Sequence, residues 1–244
     1  AKKGAQAGEH IVPGDAAFLL EYPEVRQTTI APEMHENLAC VRELSESGIV
    51  VSIGHTNATY VQAREAIETG ARNATHLFNA MPPLNHRDPG AVGAALEDDR
   101  VYCELIADAF HIHPGLFSIL RKLKGDRLVL VTDCTRAGGL ADGEYSLGGQ
   151  PIFVKGIECR LSDGTIAGSV LRLNHAIRNM VRMGGAEVWE AVNMASRNPA
   201  KLHGRADIGS LEPGKRADIA IADEDFEIHA TILGGQTIYE RGNA

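Results

Sequence analysis

Cysteine is scarce in these 244 residues: Cys40, Cys103, Cys134 and Cys159 lie far apart, and no two form a C-x-x-C pair. That excludes a disulfide framework and indicates free thiols in a reducing compartment, the cytoplasm. Positive charge is also in the minority, with 24 Lys and Arg against 32 Asp and Glu and a net charge of −8. Without a basic stripe to neutralise phosphates, nucleic acid is excluded as the partner. No apolar run approaches the roughly 20 residues that span a bilayer, which argues against a membrane partner. Low-complexity tracts and repeats are missing as well. There is no initial Met and no signal peptide, only the loop-like Ala1-Lys-Lys-Gly-Ala-Gln, as expected of a chain whose upstream portion is missing.

What is present is ordinary globular material, 44% apolar and 23% charged, enough for one large α/β unit. Its centre is Ile49 to Pro83. An apolar run ends at Gly54 and His55. Then comes a helix with Asn57 as the expected N-cap and Val61, Ala63, Ala66 and Ile67 as its apolar side, stopping at Gly70. The short run Asn73-Ala-Thr then ends at His76. Two parallel strands joined by a right-handed crossover deliver both histidines, 21 positions apart, to one face of the sheet.

The same alternation runs further in both directions. Strands are expected near Thr28, Val50, Asn73, Val101 and Leu128. Helices are expected at Ala16 to Leu20, at Glu33 to Ser47 with Met34, Leu38, Val41 and Leu44 on one stripe, and from Pro114 to Leu123. Four of the five strands end in a residue capable of chemistry: His55, His76, His111 and Asp133. In a barrel of βα units such ends line the active site. Gly138 to Gly168 reads as small β-hairpins inserted over the strand ends. Helices resume at Ser169 to Met183 and Ala186 to Arg197, and short strands follow from Ala206 to the end. The expected division is a barrel portion over 1–205 and part of a small β domain over 206–244.

His55 and His76 are the expected metal ligands, because imidazole suits zinc and other borderline divalent ions. The plainer alternative, satisfied core or capping histidines, holds for a lone His and loses for two in matched settings. Asp133 is the expected general acid/base, with an N-cap as its alternative. His111 is placed to polarise a carbonyl or hold an oxyanion, while His113 before Pro114 is structural. Asp108 either orients its loop or touches substrate. Asn79 and Ala80 lie where a ligand would meet an amide. Arg87 is an exposed guanidinium suited to phosphate or carboxylate. Cys134 is read as a buried thiol rather than a nucleophile.

The segments Gly54-His-Thr-Asn-Ala, Ala74-Thr-His-Leu-Phe-Asn-Ala-Met-Pro, Ala107-Asp-Ala-Phe-His, Leu130-Val-Thr-Asp and Gly209-Ser-Leu-Glu-Pro-Gly-Lys-Arg-Ala-Asp resemble the N-acetylglucosamine-6-phosphate deacetylases of the amidohydrolase superfamily. The resemblance runs through nearly the whole chain in order. The Thr-His-Leu-Phe-Asn-Ala-Met-Pro string is the most specific part. It implies an α/β fold, a (β/α)8 TIM barrel of metal-dependent hydrolase type whose C-terminal strands are present here, flanked by a small β-sandwich. It also implies a divalent metal on His55 and His76, zinc first, with iron, manganese or cobalt open. Hydrolysis of the sugar acetamide would use Asp133 and His111. Substrate would be bound by Ala5, Gln6, Asn79, Ala80, Arg87, Asp108 and His111, with Ile166, Ala167 and Gly168 closing over it. A homodimer is implied because the phosphate-binding arginine reaches across an interface.

One feature departs from the family pattern. Its remaining metal ligand is a glutamate in a Glu-Gly-Pro segment upstream of the Lys-Lys-Gly loop, and here the chain begins at that loop. Neither Glu9 nor Glu33 sits in a matching motif. A C-terminal fragment with impaired metal binding is therefore expected. The other readings are an amidohydrolase for another N-acyl or cyclic amide, and a non-catalytic fragment that binds metal or sugar phosphate.

Overall fold

The computed structural model describes residues 1–6, 8, 11–34 and 36–242, and Glu9 lies outside them. Five βα steps open the chain: α1 (Ala16–Leu20), β1 (Gln27–Ile30), α2 (Asn37–Glu46), β2 (Val50–Ile53), α3 (Tyr60–Thr69), β3 (Asn73–Ala74), α4 (Gly90–Glu97), β4 (Tyr102–Ile106), α5 (Phe117–Lys124) and β5 (Leu128–Val131). The strands pair in sequence order, all parallel. Every strand C-terminus therefore emerges on one edge, as right-handed crossovers require.

Alternation along the strands separates two faces. Val51, Ile53, Cys103, Leu105, Leu128 and Leu130 are buried under the helices with Leu44, Ile67 and Phe117. Each such Leu or Ile contributes roughly 1.5–3 kcal/mol on leaving water. The opposite, concave face carries polar side chains, with Thr29 bonded to Thr75, Thr75 to Ser52, and Ser52 to Asn73.

Helix boundaries depart from expectation in places. Thr59, not Asn57, caps α3, through a reciprocal capping box with Gln62. Val61 is 71% exposed while Ala63, Ala66 and Ile67 are buried, because two residues of helix turn it some 200° away from Ala63. α2 begins at Asn37 and leaves Glu33 outside. α4, over Gly90–Glu97, was not foreseen. It is a run of small residues with Ala91, Val92, Ala94 and Ala95 buried.

After β5 come β6 (Gly143–Leu147), β7 (Gln150–Lys155) and β8 (Glu158–Leu161), an antiparallel meander within the expected hairpin region. Its inward residues Ile152, Val154, Cys159 and Leu161 form a small separate core with Ala137 and Ala167. Three helices follow: α6 (Leu173–Arg182), α7 (Val188–Ala195) and α8 (Arg197–Leu202). α6 starts four residues later than expected, because Ser169 is taken up pairing with Thr135 and Asp133. The tail forms β9 (Ile219–Ala222), β10 (Ile228–Leu233) and β11 (Gln236–Glu240), an antiparallel sheet in the order β11-β10-β9. Asn174 donates to the Phe226 carbonyl at 2.8 Å and ties the tail to α6.

Candidate active site

Eight described non-glycine residues have positive φ, and six of them (His55, His76, Phe78, Ala80, Ala109 and Asp133) lie within six residues of the C-terminal ends of β2, β3, β4 and β5. Left-handed backbone at such residues costs on the order of 1–3 kcal/mol each and persists where the surroundings over-determine it. The strain is thus concentrated on the edge where the chemistry-capable residues emerge.

The β2 end turns at Gly54, where a Cβ would come within 2.7 Å of both Thr29 Cγ2 and Thr75 Cβ. Only glycine passes there. The turn delivers His55, whose Nδ1 lies 3.1 Å from the Lys2 carbonyl. A carbonyl accepts only, so Nδ1 carries the proton and Nε2 presents a lone pair. That lone pair faces His76 Nε2 at 3.0 Å, with the rings 4.8 Å apart at 69°. Burial pushes the His55 pKa down, and His76 pushes it further. Contacts with the Lys2 and Lys3 backbone and the nearby Asp133 charge oppose this without reversing it. Both effects favour the neutral imidazole that a metal requires. His76 is 6% exposed and its Nδ1 has no hydrogen-bond partner among the described residues.

The turn beyond His55 is held by Glu33, whose carboxylate accepts from the Thr56 hydroxyl and from the Asn57 amide at 2.7 Å. Burial would raise the Glu33 pKa, but these bonds outweigh it and hold it low. Glu33 therefore serves the backbone rather than a metal. Among the described residues, no group of three His, Cys, Asp or Glu is placed to hold an ion. The donor set present is the His55–His76 pair, two of the roughly three protein ligands typical of a catalytic site.

The β4 end presents a second constellation. Asp108 Oδ1 accepts the amides of Phe110 and His111 at 2.9 and 2.8 Å, and Oδ2 lies 2.6 Å from His111 Nδ1. Both side chains are 4% exposed. Burial tends to raise the Asp108 pKa, but the bonds to His111 and the loop amides overcome it and hold the carboxyl low. Among the described residues the hydrogen-bond partners of Asp108 thus lie within the loop, and its carboxylate fixes the His111 ring. A neutral His111 then offers Nε2 as an acceptor, and a protonated one offers it as a donor to an anion. His113 accepts from the Gly115 amide, a structural role.

Asp133, two residues beyond the end of β5, is exposed. Its carbonyl accepts the Ser169 amide at 2.8 Å, and a Cβ on Gly168 would lie 2.9 Å from that oxygen. Ala167 donates to the Cys159 carbonyl at 2.9 Å, so Ile166 to Gly168 is strung between the meander and Asp133. Cys134 is exposed, not buried as expected, because it follows the strand end rather than lying within it.

Asn79 turns its amide onto the His76 and Leu77 carbonyls, and the Ala80 carbonyl accepts from Thr56. The Ala5 carbonyl accepts from Gln150. Gln6 lines a cleft of about 190 Å³ together with Lys2, Lys3, Thr29, Gly54 and His55. Arg87 stands apart, exposed in its turn, with no hydrogen bond or ion pair to any described residue. Sequence reasoning missed Lys2, which donates to the Met81 carbonyl, and Glu104. As the one acid inside the run Val101 to Ala107, Glu104 was the available signal.

A profile of the amidohydrolase family matches residues 22–238. The chain is 40% identical over 248 residues to an N-acetylglucosamine-6-phosphate deacetylase of Lysinibacillus sphaericus, covering 99% of this chain and 64% of that one. The crystal structure of such a deacetylase from Pasteurella multocida is similar with a TM-score of 0.92 and 35% identity, over 97% of this chain and 63% of that one. A mutant from Mycobacterium smegmatis in complex with N-acetyl-D-glucosamine-6-phosphate is similar with a TM-score of 0.84 and 39% identity, over 87% and 57%. The chain spans less than two thirds of the length of these relatives. The fold is the α/β, TIM-barrel type expected from the sequence.

Proposed function

This chain belongs to the amidohydrolase family, and from that premise we propose that it serves the hydrolysis of N-acetylglucosamine 6-phosphate to glucosamine 6-phosphate and acetate. The observation that carries the reading is the facing pair of Nε2 atoms, His55 and His76, 3.0 Å apart on the strained strand ends, in a chain similar to deacetylases of that substrate. The pair fits a divalent ion, zinc first, with iron, manganese and cobalt as the other candidates. When bound, such an ion supplies Lewis-acid assistance to amide cleavage.

The chain's own residues take the remaining roles. Asp133 accepts a proton from the attacking water and returns it to the departing sugar amine. His111, held by Asp108, donates from Nε2 to the oxyanion or the phosphate. Arg87 pairs with the phosphate, across the interface of a homodimer. Asn79 and Ala80 meet the sugar from one side, and Ala5, Gln6 and Ile166 to Gly168 close the other. The division into a barrel portion over 1–205 and part of a β-sandwich over 206–244 belongs to the same reading. So does a cytoplasmic location, which the free cysteines support. No helix among the described residues is long and apolar enough to cross a membrane.

The test is acetate release from N-acetylglucosamine 6-phosphate with each of the four metals, beside unphosphorylated N-acetylglucosamine. The expected result is turnover that depends on the metal and on the phosphate, and that is weak in this chain alone because His55 and His76 are two of the roughly three protein ligands of a catalytic site. Equal rates on both sugars, or cleavage only of a different N-acyl or cyclic amide, would replace the substrate.

A further inference from the structure

Asn73 and Ala74 are the whole of β3, the shortest strand in the sheet, and it carries His76. Its ladder with β4 ends at Ala74 opposite Cys103. Beyond that point Thr75 is held from the β2 side, its amide donating to the Ile53 carbonyl at 2.9 Å, and His76 and Leu77 are held from the β4 side by Glu104. The Glu104 carbonyl accepts the Leu77 amide at 2.8 Å, and its carboxylate Oε2 accepts the His76 amide at 3.1 Å. The other carboxylate oxygen accepts Gln27 Nε2 at 2.9 Å and Asn73 Nδ2 at 2.6 Å. Glu104 is 7% exposed, so this is a buried carboxylate whose hydrogen-bond partners are all neutral donors, from β1, β3 and the strand end itself.

A buried acid costs free energy unless it is well satisfied, and satisfied acids order what they bind. Here the ordered group is the backbone of a residue at φ +30°, a conformation that needs an external restraint. We propose that Glu104 is a positioning residue for the metal site: its carboxylate clamps the His76 backbone and so keeps Nε2 aimed at His55. The inference rests on the reading of His55 and His76 as ligands.

Glu104→Gln keeps the shape and removes the all-acceptor character. Whichever way the new amide is turned, one NH₂ group faces a donor, either the His76 amide or the Gln27 and Asn73 side chains. Gln27→Met is the control, since it deletes a different donor to the same carboxylate and leaves the His76 bond in place. Two quantities are measured on the full chain: zinc affinity by competition with a chromophoric chelator, and hydrogen exchange of the His76 amide. Glu104→Gln is expected to weaken zinc binding 10- to 100-fold, the usual effect of losing a group that orients a ligand, and to speed His76 exchange at least tenfold. Gln27→Met is expected to change neither, whatever it does to thermal stability. Unchanged exchange in Glu104→Gln, or equal effects of the two substitutions, overturns the proposal. Zinc affinity insensitive to His76→Ala overturns the ligand reading beneath it and the proposal with it, whereas loss in His76→Ala but not in Glu104→Gln removes the proposal alone.

Discussion

Replacing Asp108 with asparagine separates two effects that the geometry fuses, the charge of the carboxylate and its shape. The carboxylate takes two loop amides on Oδ1 and His111 Nδ1 on Oδ2, with both side chains 4% exposed. In Asp108→Asn the amide oxygen keeps the loop amides, and the NH₂ group meets the Nδ1 proton. The clash is relieved by moving that proton to Nε2. A charged hydrogen bond worth about 1.5–3 kcal/mol is thereby exchanged for a neutral one worth about 0.5–1.5. The expected loss of stability is about 1–2 kcal/mol at neutral pH, a roughly 5- to 30-fold larger unfolding constant.

The sign with pH follows from the Asp108 carboxyl being held below its ordinary value, which is about 3.9 in an unfolded chain. A depressed pKa contributes stability that is complete above the unfolded value and lost as pH falls through the folded one. Urea unfolding of both chains from pH 7 to pH 3 should show a stability gap that is constant down to about pH 5 and narrows in acid. Nitrogen-15 shifts of the imidazole should report the Nδ1–H tautomer in the original chain and the Nε2–H tautomer in the variant. A gap that persists unchanged at pH 3, or an unaltered tautomer, refutes the claim that the carboxylate charge orients His111.

Three further outcomes are expected. Gly54→Ala should lower stability by about 1–3 kcal/mol, read as a fall in Tm, because its Cβ would sit 2.7 Å from two short, branched threonines that cannot swing aside. Lys124→Met should cost about 1–3 kcal/mol in urea titration, since Nζ, in a residue 4% exposed, is shared between the Ala95 and Asp98 carbonyls at the end of α4, and methionine takes this charged donor from both, leaving Asp98 the Val101 amide and Ala95 the weak Cys103 thiol. Asp133→Asn should leave Tm and metal content unchanged, as its exposed carboxylate accepts no hydrogen bond from any described residue, yet reduce acetate release by about 10²–10⁴-fold. Full activity there would remove Asp133 from the acid/base role.

Why some of this was legible in sequence and some was not comes down to the range of the interactions involved. β4 and β5 are near-continuous apolar runs ending at Asp108 and Asp133, and a local pattern suffices to place them. α4 escaped because Gly90 to Ala95 offers small residues without an amphipathic rhythm. It is helical because it packs on α3 and is closed by Lys124, 27 positions beyond its last residue. Asp108 was readable as orienting or substrate-binding, and its 2.6 Å contact with His111 Nδ1 is a geometry the sequence does not carry. Glu104 was visible only as an anomaly. Its partners Gln27, Asn73 and His76 lie 77, 31 and 28 positions away, and only the strand register brings them to one carboxylate. The positive φ values at His55, His76 and Asp133 are likewise invisible in composition, since none of these residues is the glycine that such angles favour. A site of this kind is built by surroundings that force ordinary residues into costly conformations. The sequence therefore names the side chains, while the register of five strands supplies the force that aims them.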